Sequence, residues 1–332
     1  MRLTVLGAGS WGTALGVHLA HAGHQVRLWG RDPSLVQEMG ARRANAVYLP
    51  DISLPAGLRP TASLEEALDA TELVVCAVPS HGVRAVVHAA ARLIPAHVIV
   101  VSATKGLEVD TLLRTSERLQ LELGEDHPVV VLSGPSFAAE LARQLPTAVC
   151  VASRDPSAAA RVQAEFRSSY LRLYASPDVV GVEIGAAMKN VIAIAAGVVE
   201  GLGLGQNATA ALMTRGLVEI TRLACALGGC RETLAGLSGL GDLVLTCTGS
   251  LSRNRHVGVE LARGRPLGEV LGGMKMVAEG VRTAGAALAL GTRHGVELPI
   301  ATQMFEVLEE RKSPRAALVD LMLRPQKAEA EG

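Results

Sequence analysis

The chain has 332 residues, a length that suits two ordinary domains. Its 32 basic and 32 acidic side chains balance, so no overall field favours nucleic acid or an acidic membrane surface, and we expect a small-molecule ligand. The five cysteines form no CxxC pair, which is typical of reduced thiols and predicts a cytoplasmic protein.

The N-terminal segment, residues 1–23, has a basic residue at its second position and contains an apolar run, as a signal peptide does. Glycines and Trp11 interrupt that run, and the chain passes directly into a second apolar segment, so we interpret it as part of a folded domain. The longest apolar run elsewhere, residues 184–199, includes Lys189 and Asn190 and falls short of the roughly 20 residues that cross a bilayer. We therefore predict no membrane span.

The first half of the chain alternates short apolar, β-rich runs with helical stretches. The runs are residues 3–6, 25–29, 73–77, 98–102, 129–132 and 148–152. Runs of this length without polar alternation suit parallel strands whose sheet is covered on both faces. They predict a doubly wound, Rossmann-like α/β domain over residues 1–178 that binds NAD(P).

A glycine-rich turn follows the first of these runs. Gly7, Gly9 and Gly12 form a GxGxxG pattern between a predicted strand and a predicted helix, the context that a dinucleotide site requires. Gly7 permits the turn, Gly9 lets a pyrophosphate approach the backbone, and Gly12 lets the helix pack on the strand. The helix N-terminus offers N–H groups to the phosphates. A glycine-rich turn without a ligand is the alternative.

The choice of dinucleotide depends on the end of the second predicted strand. An acid there binds the ribose 2′-hydroxyl of NAD, whereas a base favours the 2′-phosphate of NADP. Arg31 precedes Asp32 and no acid lies on the strand itself, so we expect NADP(H) to be favoured and NAD(H) to be accepted as well. A solvated pair of the two side chains is the alternative.

Two polar segments follow predicted strands, at the edge where doubly wound folds bind ligands. Lys105 comes after the run at 98–102, and this position favours a functional role. Ser136 lies in a turn after the run at 129–132, where it is either a helix N-cap or a ligand.

After about residue 180 the chain is rich in Ala, Leu and Gly and has few β-branched runs. Segments 183–200, 208–227, 253–263 and 277–294 are typical of helices. They predict an all-α substrate domain over residues 179–326, followed by a frayed tail over residues 327–332. The expected join is the Ser176-Pro177-Asp178 turn, because proline disfavours helix at the preceding residue and aspartate caps the next element.

Lys189 is the most conspicuous polar residue of the second half. Its neighbours one helical turn away are glycine, alanine and isoleucine, and none of them can neutralise its charge. A buried ammonium without a partner is costly unless it loses its proton, which suits general acid–base work on a hydroxyl or carbonyl. A lysine that snorkels at a helix edge is the alternative. Asn190 beside it can hold a substrate or orient a partner.

A third polar segment, Ser252-Arg253-Asn254, follows a glycine-rich stretch that lacks the GK[ST] ending of a P-loop. A serine cap, N–H groups of a first helical turn and an arginine are the groups that bind a phosphate monoester. A capped surface helix without a ligand is the alternative.

Together these motifs resemble those of the NAD(P)-dependent glycerol-3-phosphate dehydrogenase family. The resemblance runs, in order, from GAGSWGTAL through TKG, GPSFAAE, AAMKNVIAIAAG and GLSGLGDLVLTCTGSLSRNR to MVAEG, and it covers nearly the whole chain. It implies a bacterial-type enzyme that transfers a hydride reversibly between NAD(P)H and dihydroxyacetone phosphate, forming glycerol 3-phosphate for phospholipid synthesis. A homodimer is a further implication of the family.

The resemblance also implies roles for individual residues, and no metal. Lys189 accepts the hydroxyl proton when glycerol 3-phosphate is oxidised and donates it when dihydroxyacetone phosphate is reduced. The implied substrate contacts, with Arg253 and Asn254 at the phosphate, are Lys105, Gly134, Ser136, Lys189, Asn190, Asp242, Ser252, Arg253 and Asn254. The implied cofactor contacts are Gly7, Gly9, Ser10, Trp11, Gly12, Arg31, Lys105, Ala138, Arg253, Val277 and Glu279.

Two rival functions fit parts of the pattern. A related two-domain dehydrogenase, acting on a hydroxy acid such as 6-phosphogluconate or on ketopantoate, also pairs a Rossmann domain with a helical domain that carries a lysine. Its substrate presents a carboxylate near the reacting carbon and needs a different cation placement from that of Arg253 and Asn254. A nucleotide-sensing regulator without turnover is disfavoured because the second half holds the polar residues that the reaction requires.

Overall fold

The computed structural model describes residues 1–326, 328 and 329. The chain forms two compact units: unit 1 comprises Met1–Lys105 and Leu113–Val179, and unit 2 comprises Gly106–Leu112 and the chain from Val180 onward. The short segment Gly106–Leu112 therefore packs within unit 2, although the chain on both sides of it belongs to unit 1. Of the predicted tail, only Ala328 and Glu329 are described, and the rest lies outside the described residues. The predicted boundary at residue 178 stays a prediction.

The centre of unit 1 is an eight-stranded sheet. In chain order, the strands of the unit are β1 (Arg2–Leu6), β2 (Gln25–Trp29), β3 (Ala44–Asn45), β4 (Leu49–Ser53), β5 (Leu58–Thr61), β6 (Leu73–Cys76), β7 (Ile99–Ser102), β8 (Val129–Ser133), β9 (Thr147–Ala152) and β10 (Leu171–Ser176). The sheet order is β10-β9-β8-β7-β6-β1-β2-β5, and β3 pairs with β4 in a separate antiparallel hairpin. The strand order reverses between β1 and β6, so ligands are expected outside the carboxyl ends of these two strands.

Helices cover both faces of this sheet. They are α1 (Ser10–His21), α2 (Pro33–Arg42), α3 (Leu64–Leu68), α4 (Val83–Ala91), α5 (Thr115–Leu123), α6 (Ala138–Ala142) and α7 (Pro156–Phe166). Alternate residues of β6 enter different cores: Leu73 and Val75 pack on one face of the sheet, and Val74 and Cys76 on the other. Burial on both faces explains why the strands read as continuous apolar runs, and the predicted doubly wound α/β fold is confirmed.

Two strands of the eight-stranded sheet and both strands of the β3–β4 hairpin were missed by the sequence pattern, and one strand of the sheet pairs in an unexpected direction. The two missed strands of the sheet, β5 and β10, are its edges; each mixes buried with exposed or half-buried residues and forms no apolar run. Within the eight-stranded sheet, all neighbouring strands pair in parallel except β8 and β9, which are antiparallel. The sheet was predicted to be parallel, but it is mixed, because one pair of strands at one side is antiparallel. Composition alone does not reveal this direction.

Unit 2 is helical, as predicted. Its helices are α8 (Val179–Gly201), α9 (Gly205–Ala226), α10 (Arg231–Leu234), α11 (Asp242–Thr248), α12 (Arg253–Ala262), α13 (Leu267–Gly272), α14 (Glu279–His294), α15 (Pro299–Leu308) and α16 (Pro314–Met322), with a π-helical turn at Leu237–Gly241 before α11. The central helix α8 is buried on all sides, and its side chains from Ile184 to Ile194 form the middle of the core.

Helix α8 is longer than the apolar run in the sequence suggested. Its 23 residues are long and apolar enough to cross a membrane by length and composition, and 94% of its most apolar window is buried inside the protein. Within the described residues, the segments Arg231–Thr248 and Arg253–Ala262, which are bent relative to each other, are together also long and apolar enough to span a membrane. Helix α8 is therefore the core helix of unit 2.

Close backbone contacts fix α12 against α8. A Cβ built on Gly197 would lie 2.0 Å from the carbonyl oxygen of Arg255, and one built on Gly258 would lie 1.9 Å from that of Ile194. No side chain fits at either glycine, so the two helices cross backbone to backbone. This crossing places the first turn of α12 beside the middle of α8.

Candidate active site

The glycine turn after β1 has the geometry of a phosphate cradle. Gly7 adopts φ +114°, and a Cβ on it would lie 2.8 Å from the carbonyl oxygen of Ala77 after β6. A Cβ on Gly12 would lie 1.9 Å from the carbonyl oxygen of Gly7, whereas a Cβ on Gly9 would meet nothing within 4 Å. Gly7 and Gly12 are thus required by packing. Gly9 instead leaves open space at the N-terminus of α1, where it is the N-cap without a side-chain hydrogen bond, and a dinucleotide pyrophosphate fits there.

The β3–β4 hairpin is fastened to this turn. The buried Asn45 donates through Nδ2 to the carbonyl oxygen of Ala8 (2.9 Å) and to Oγ1 of Thr13 (2.8 Å), and its Oδ1 accepts from the N–H of Tyr48. Ser10 Oγ donates to the carbonyl oxygen of Tyr48 at 2.6 Å. Sequence reasoning missed Asn45; its rarity was the available signal, because the chain has only four asparagines.

Other predicted cofactor contacts flank α1 in unit 1. The indole Nε1 of Trp11 is buried and has no hydrogen-bond partner in the described part of the chain, which leaves a donor beside the turn. Ala138 begins α6 and packs in a small cluster with Trp11 and Ala14. The structure therefore brings these two predicted residues together.

Arg31 and Asp32 do not form a solvated pair. The Oδ1 of Asp32 accepts from the N–H groups of Ser34 (2.9 Å) and Leu35 (3.4 Å), so this carboxylate caps α2. Arg31 is exposed, and the described residues include no ion-pair partner for it. The guanidinium is thus available to a phosphate at the end of β2.

Lys105, Gly134 and Ser136 meet at the carboxyl ends of β7 and β8. Lys105 Nζ donates to the carbonyl oxygen of Gly134 (2.8 Å) and to Oγ of Ser136 (3.2 Å), and that hydroxyl donates to the same carbonyl. Gly134 has φ +139° and lies against Val149, which leaves little room for a side chain. Ser136 is not a helix cap, because the N-cap of α6 is Phe137.

In unit 2, Lys189 is paired rather than isolated. Its Nζ donates to Oδ1 of Asp242 at 2.6 Å and to Oγ1 of Thr246 at 2.8 Å, and both Lys189 and Asp242 are buried. The sequence-based interpretation of an unpaired or snorkelling lysine is therefore wrong. It considered only neighbours one helical turn away, whereas the counter-ion comes from α11, 53 positions later. Thr246 was not singled out from the sequence.

A close backbone approach delivers Asp242 to Lys189. A Cβ on Gly185, one turn before Lys189, would lie 2.6 Å from the carbonyl oxygen of Ser238 in the π-helical turn. This contact holds the turn against α8, and α11 begins directly after it with Asp242. Burial raises the pKa of the neighbouring Cys247 thiol to about 12, so this side chain is uncharged beside Lys189 and Asp242.

The Ser252-Arg253-Asn254 segment begins α12, as predicted, but α12 is not a surface helix. Ser252 Oγ accepts from the N–H of Arg255 as the N-cap, and Asn254 and Val257 are among the buried residues of the helix. Arg253 Nη1 donates to the carbonyl oxygen of Val277 at 3.2 Å. Burial lowers the pKa of Arg253, opposed by the carboxylate of Glu279. The predicted residues 253, 277 and 279 are thus brought together.

Asn190 and Asn254 also meet in unit 2. Asn254 Nδ2 donates to Oδ1 of Asn190 at 2.9 Å, and Asn190 Nδ2 donates to the carbonyl oxygen of Ala186. Asn190 is therefore hydrogen-bonded to Asn254, and its expected contact with the substrate stays a prediction. Within residues 1–326, 328 and 329, no group of three or more His, Cys, Asp or Glu side chains could hold a metal ion.

Comparisons with known proteins agree over both halves of the chain. Residues 2–159 match the family model described as NAD-dependent glycerol-3-phosphate dehydrogenase N-terminus, and residues 178–319 match the corresponding C-terminus model. The glycerol-3-phosphate dehydrogenase (NAD(P)+) of Myxococcus xanthus is 53% identical over 334 residues, covering 100% of both chains.

Solved structures give the same result. The crystal structure of glycerol-3-phosphate dehydrogenase from Coxiella burnetii has a TM-score of 0.94 and 39% identity, covering 97% of this chain and 99% of that one. A ketopantoate reductase family structure from Ralstonia eutropha has a TM-score of 0.63 at 16% identity, covering 96% of this chain and 100% of that one, and shares the fold alone.

Proposed function

Since the chain belongs to the NAD-dependent glycerol-3-phosphate dehydrogenase family, we propose which of its residues carry the reaction. The protein is an NAD(P)-dependent oxidoreductase that interconverts glycerol 3-phosphate and dihydroxyacetone phosphate. The observation that carries the assignment of roles is the buried cluster of Lys189, Asp242 and Thr246.

Lys189 is the proton donor and acceptor at the C2 oxygen of the substrate. The Asp242 carboxylate accepts a hydrogen bond from the Lys189 ammonium and holds it in place, and the positive charge of Lys189 stabilises the negative charge that develops on the C2 oxygen during reduction. Thr246 accepts a second hydrogen bond from Nζ and donates to the carbonyl oxygen of Asp242, which restricts the orientation of the Lys189 ammonium. The dinucleotide, when bound, supplies or accepts the hydride at C2.

The start of α12 binds the phosphate of the substrate. The Arg253 guanidinium and the N–H groups of the first helical turn supply positive charge, and the Ser252 cap keeps that turn in place. A phosphate ester is thereby selected over a carboxylate substrate such as ketopantoate. Lys105, Gly134 and Ser136 in unit 1 stay predicted substrate contacts.

The dinucleotide binds at the Gly7–Gly12 turn and NADP(H) is preferred. The open space over Gly9 and the indole N–H of Trp11 without a partner support binding at this turn. The exposed Arg31 supports the preference for NADP(H), because its neighbour Asp32 caps α2 instead of pairing with it. NAD(H) is accepted with lower affinity because the pyrophosphate contacts do not depend on the 2′-position.

Initial rates of NADPH and NADH oxidation, at matched concentrations with dihydroxyacetone phosphate, test the cofactor assignment. We expect Arg31→Ser to raise the KM for NADPH about tenfold and to change the KM for NADH by less than about twofold, because the 2′-phosphate loses one charge-assisted contact. Arg154→Ser, at another exposed arginine, is the matched control. Equal effects of Arg31→Ser on both coenzymes would rule out the 2′-phosphate contact.

The same assay with ketopantoate in place of dihydroxyacetone phosphate tests the substrate assignment. We expect turnover with the phosphate ester only, and turnover with ketopantoate alone would refute the phosphate site at α12. In the cell, we propose that the product supplies phospholipid synthesis in the cytoplasm and that the enzyme is a homodimer, for which sedimentation of the purified protein is the measurement.

A further inference from the structure

The side chain of Asn254 joins three helices of unit 2. Its Nδ2 donates to Oδ1 of Asn190 on α8 at 2.9 Å, and its Oδ1 accepts from the N–H of Gly280 on α14 at 2.9 Å. Asn190 and Asn254 are both buried. One amide therefore satisfies polar groups on two helices at once, and only one Nδ2 hydrogen is left for a ligand.

Gly280 makes this arrangement possible. A Cβ built on it would lie 2.5 Å from the carbonyl oxygen of Asn190 and 2.9 Å from Oδ1 of Asn254. The first atom belongs to the backbone of the buried helix α8, and the second accepts the hydrogen bond from the N–H of Gly280, so neither can move away without disturbing the packing of α14 on α8 and α12. The backbone of α14 thus rests directly on the backbone of α8.

A second contact fastens the chain just before Gly280. The guanidinium of Arg253 donates to the carbonyl oxygen of Val277, and the carboxylate of Glu279 acts electrostatically on the same guanidinium. Consecutive residues of α12, Arg253 and Asn254, therefore hold the segment 277–280 at both of its ends. That segment includes Val277 and Glu279, two of the three dinucleotide contacts that the family resemblance implies in unit 2; the third is Arg253 itself.

We propose that Gly280 is a positioning residue through which phosphate binding and dinucleotide binding are coupled, an inference that rests on the proposed function. Its lack of a side chain seats the segment 277–280 against α12 and α8. A substrate phosphate that orders Arg253 and Asn254 orders Val277 and Glu279 as well, and a dinucleotide that orders Val277 and Glu279 orders the phosphate site in return.

The main test uses Gly280→Ala and, as matched control, Gly268→Ala. Gly268 lies in helix α13, and a Cβ there would meet nothing within 4 Å. The measurements are the KM for dihydroxyacetone phosphate and the Kd of NADPH alone, from its fluorescence. We expect Gly280→Ala to raise both values about tenfold, as for one or two lost hydrogen bonds, and Gly268→Ala to change neither. An increase in only one value, or in neither, overturns the proposal.

Asn254→Ala provides an independent test that also serves if Gly280→Ala does not fold. It removes both hydrogen bonds and adds no atom to the contact. A residue that only binds phosphate would change the KM for dihydroxyacetone phosphate and leave the Kd of NADPH alone unchanged, and that result overturns the proposal. A Kd for NADPH raised about fivefold or more supports it.

Failure of this inference and failure of the proposed function give different results. Turnover by Lys189→Met would refute the assigned proton donor but would leave both binding measurements interpretable. Unchanged binding constants in Gly280→Ala and Asn254→Ala would refute the coupling while leaving the role of Lys189 intact.

Discussion

The ammonium nitrogen of Lys189 lies 2.6 Å from Oδ1 of Asp242, and both side chains are buried. Removing one member of a buried ion pair leaves an uncompensated charge, which costs about 3–5 kcal/mol. A single substitution at Lys189 or Asp242 therefore changes both the stability of the protein and the reaction, and cannot separate the two effects.

We predict that Lys189→Met lowers kcat by about 10³-fold or more, because the proton at the C2 oxygen loses its donor. The free energy of unfolding should fall by about 3–5 kcal/mol as Asp242 loses its counter-ion. The double variant Lys189→Met/Asp242→Leu should regain much of that stability without regaining turnover. Steady-state kinetics and chemical denaturation check this, and turnover recovered along with stability would contradict the assigned role.

Thr246 should orient the Lys189 ammonium. Thr246→Val keeps the shape but removes the acceptor oxygen 2.8 Å from Nζ, so we expect kcat to fall about tenfold with little change in the KM for NADPH. Thr246→Ser keeps the hydroxyl and should retain kcat within about threefold. Thr248→Val, on the exposed side of the same helix, is the control. A pH–rate profile identical in Thr246→Val and wild type would argue that the hydroxyl has no orienting role.

Substitutions at Gly9 and Gly12 should distinguish an effect on NADPH binding from an effect on folding. Gly12→Ala places a Cβ against the Gly7 carbonyl and should destabilise the protein by about 1–3 kcal/mol through overpacking. Gly9→Ala meets open space and should fold normally, yet weaken NADPH binding about tenfold or more because the methyl group occupies the pyrophosphate cradle. Thermal unfolding without coenzyme and fluorescence titration measure the two effects. Normal NADPH binding by Gly9→Ala would place the pyrophosphate elsewhere.

Asn45 should hold the β3–β4 hairpin over the dinucleotide turn. Asn45→Ala removes three side-chain hydrogen bonds, two of which go to Ala8 and Thr13 around the turn. We expect the Kd of NADPH to rise about tenfold while kcat at saturation changes by less than about twofold. Asn207→Ala, at an exposed asparagine on α9, is the matched control. The prediction fails if the two variants bind NADPH equally well.

Glu219 should make stability depend on pH. Its carboxylate accepts the N–H groups of Ile300 and Ala301 at the start of α15, and burial raises its pKa to about 7. A group whose pKa is raised on folding contributes stability that is complete below its unfolded pKa and is lost as pH rises through the folded value.

As the pH rises from 4.5 to 7, we therefore expect the free energy of unfolding of the wild type to fall by about 3 kcal/mol relative to that of Glu219→Gln, which cannot ionise. Urea unfolding of both proteins across this range is the measurement. Glu232→Gln, at an exposed glutamate, should track the wild type at every pH. A stability difference between wild type and Glu219→Gln that does not change with pH would show that Glu219 keeps its ordinary pKa.

Local sequence was enough for the parts of this protein that depend on neighbours in the chain. Apolar runs identified the buried strands of the sheet, and the spacing of Gly7, Gly9 and Gly12 identified a glycine turn between β1 and α1, because strand hydrophobicity and backbone conformation are local properties. Ser252 was identified as a cap for the same reason. The edge strands β5 and β10 were missed since half-exposed residues carry no such pattern.

Only the tertiary structure decided how the polar residues are partnered. Asp242 reaches Lys189 through the packing of a π-helical turn on Gly185, and Asn254 reaches Asn190 and Gly280 through the crossing of α12 on α8. A buried charge or amide takes its partner from whichever element packs against it, and that element is distant in the chain. The sequence by itself thus determined the fold class and the position of the glycine turn after β1, whereas the packing of the folded core decided that Lys189 forms an ion pair with Asp242 and that Asn254 joins three helices.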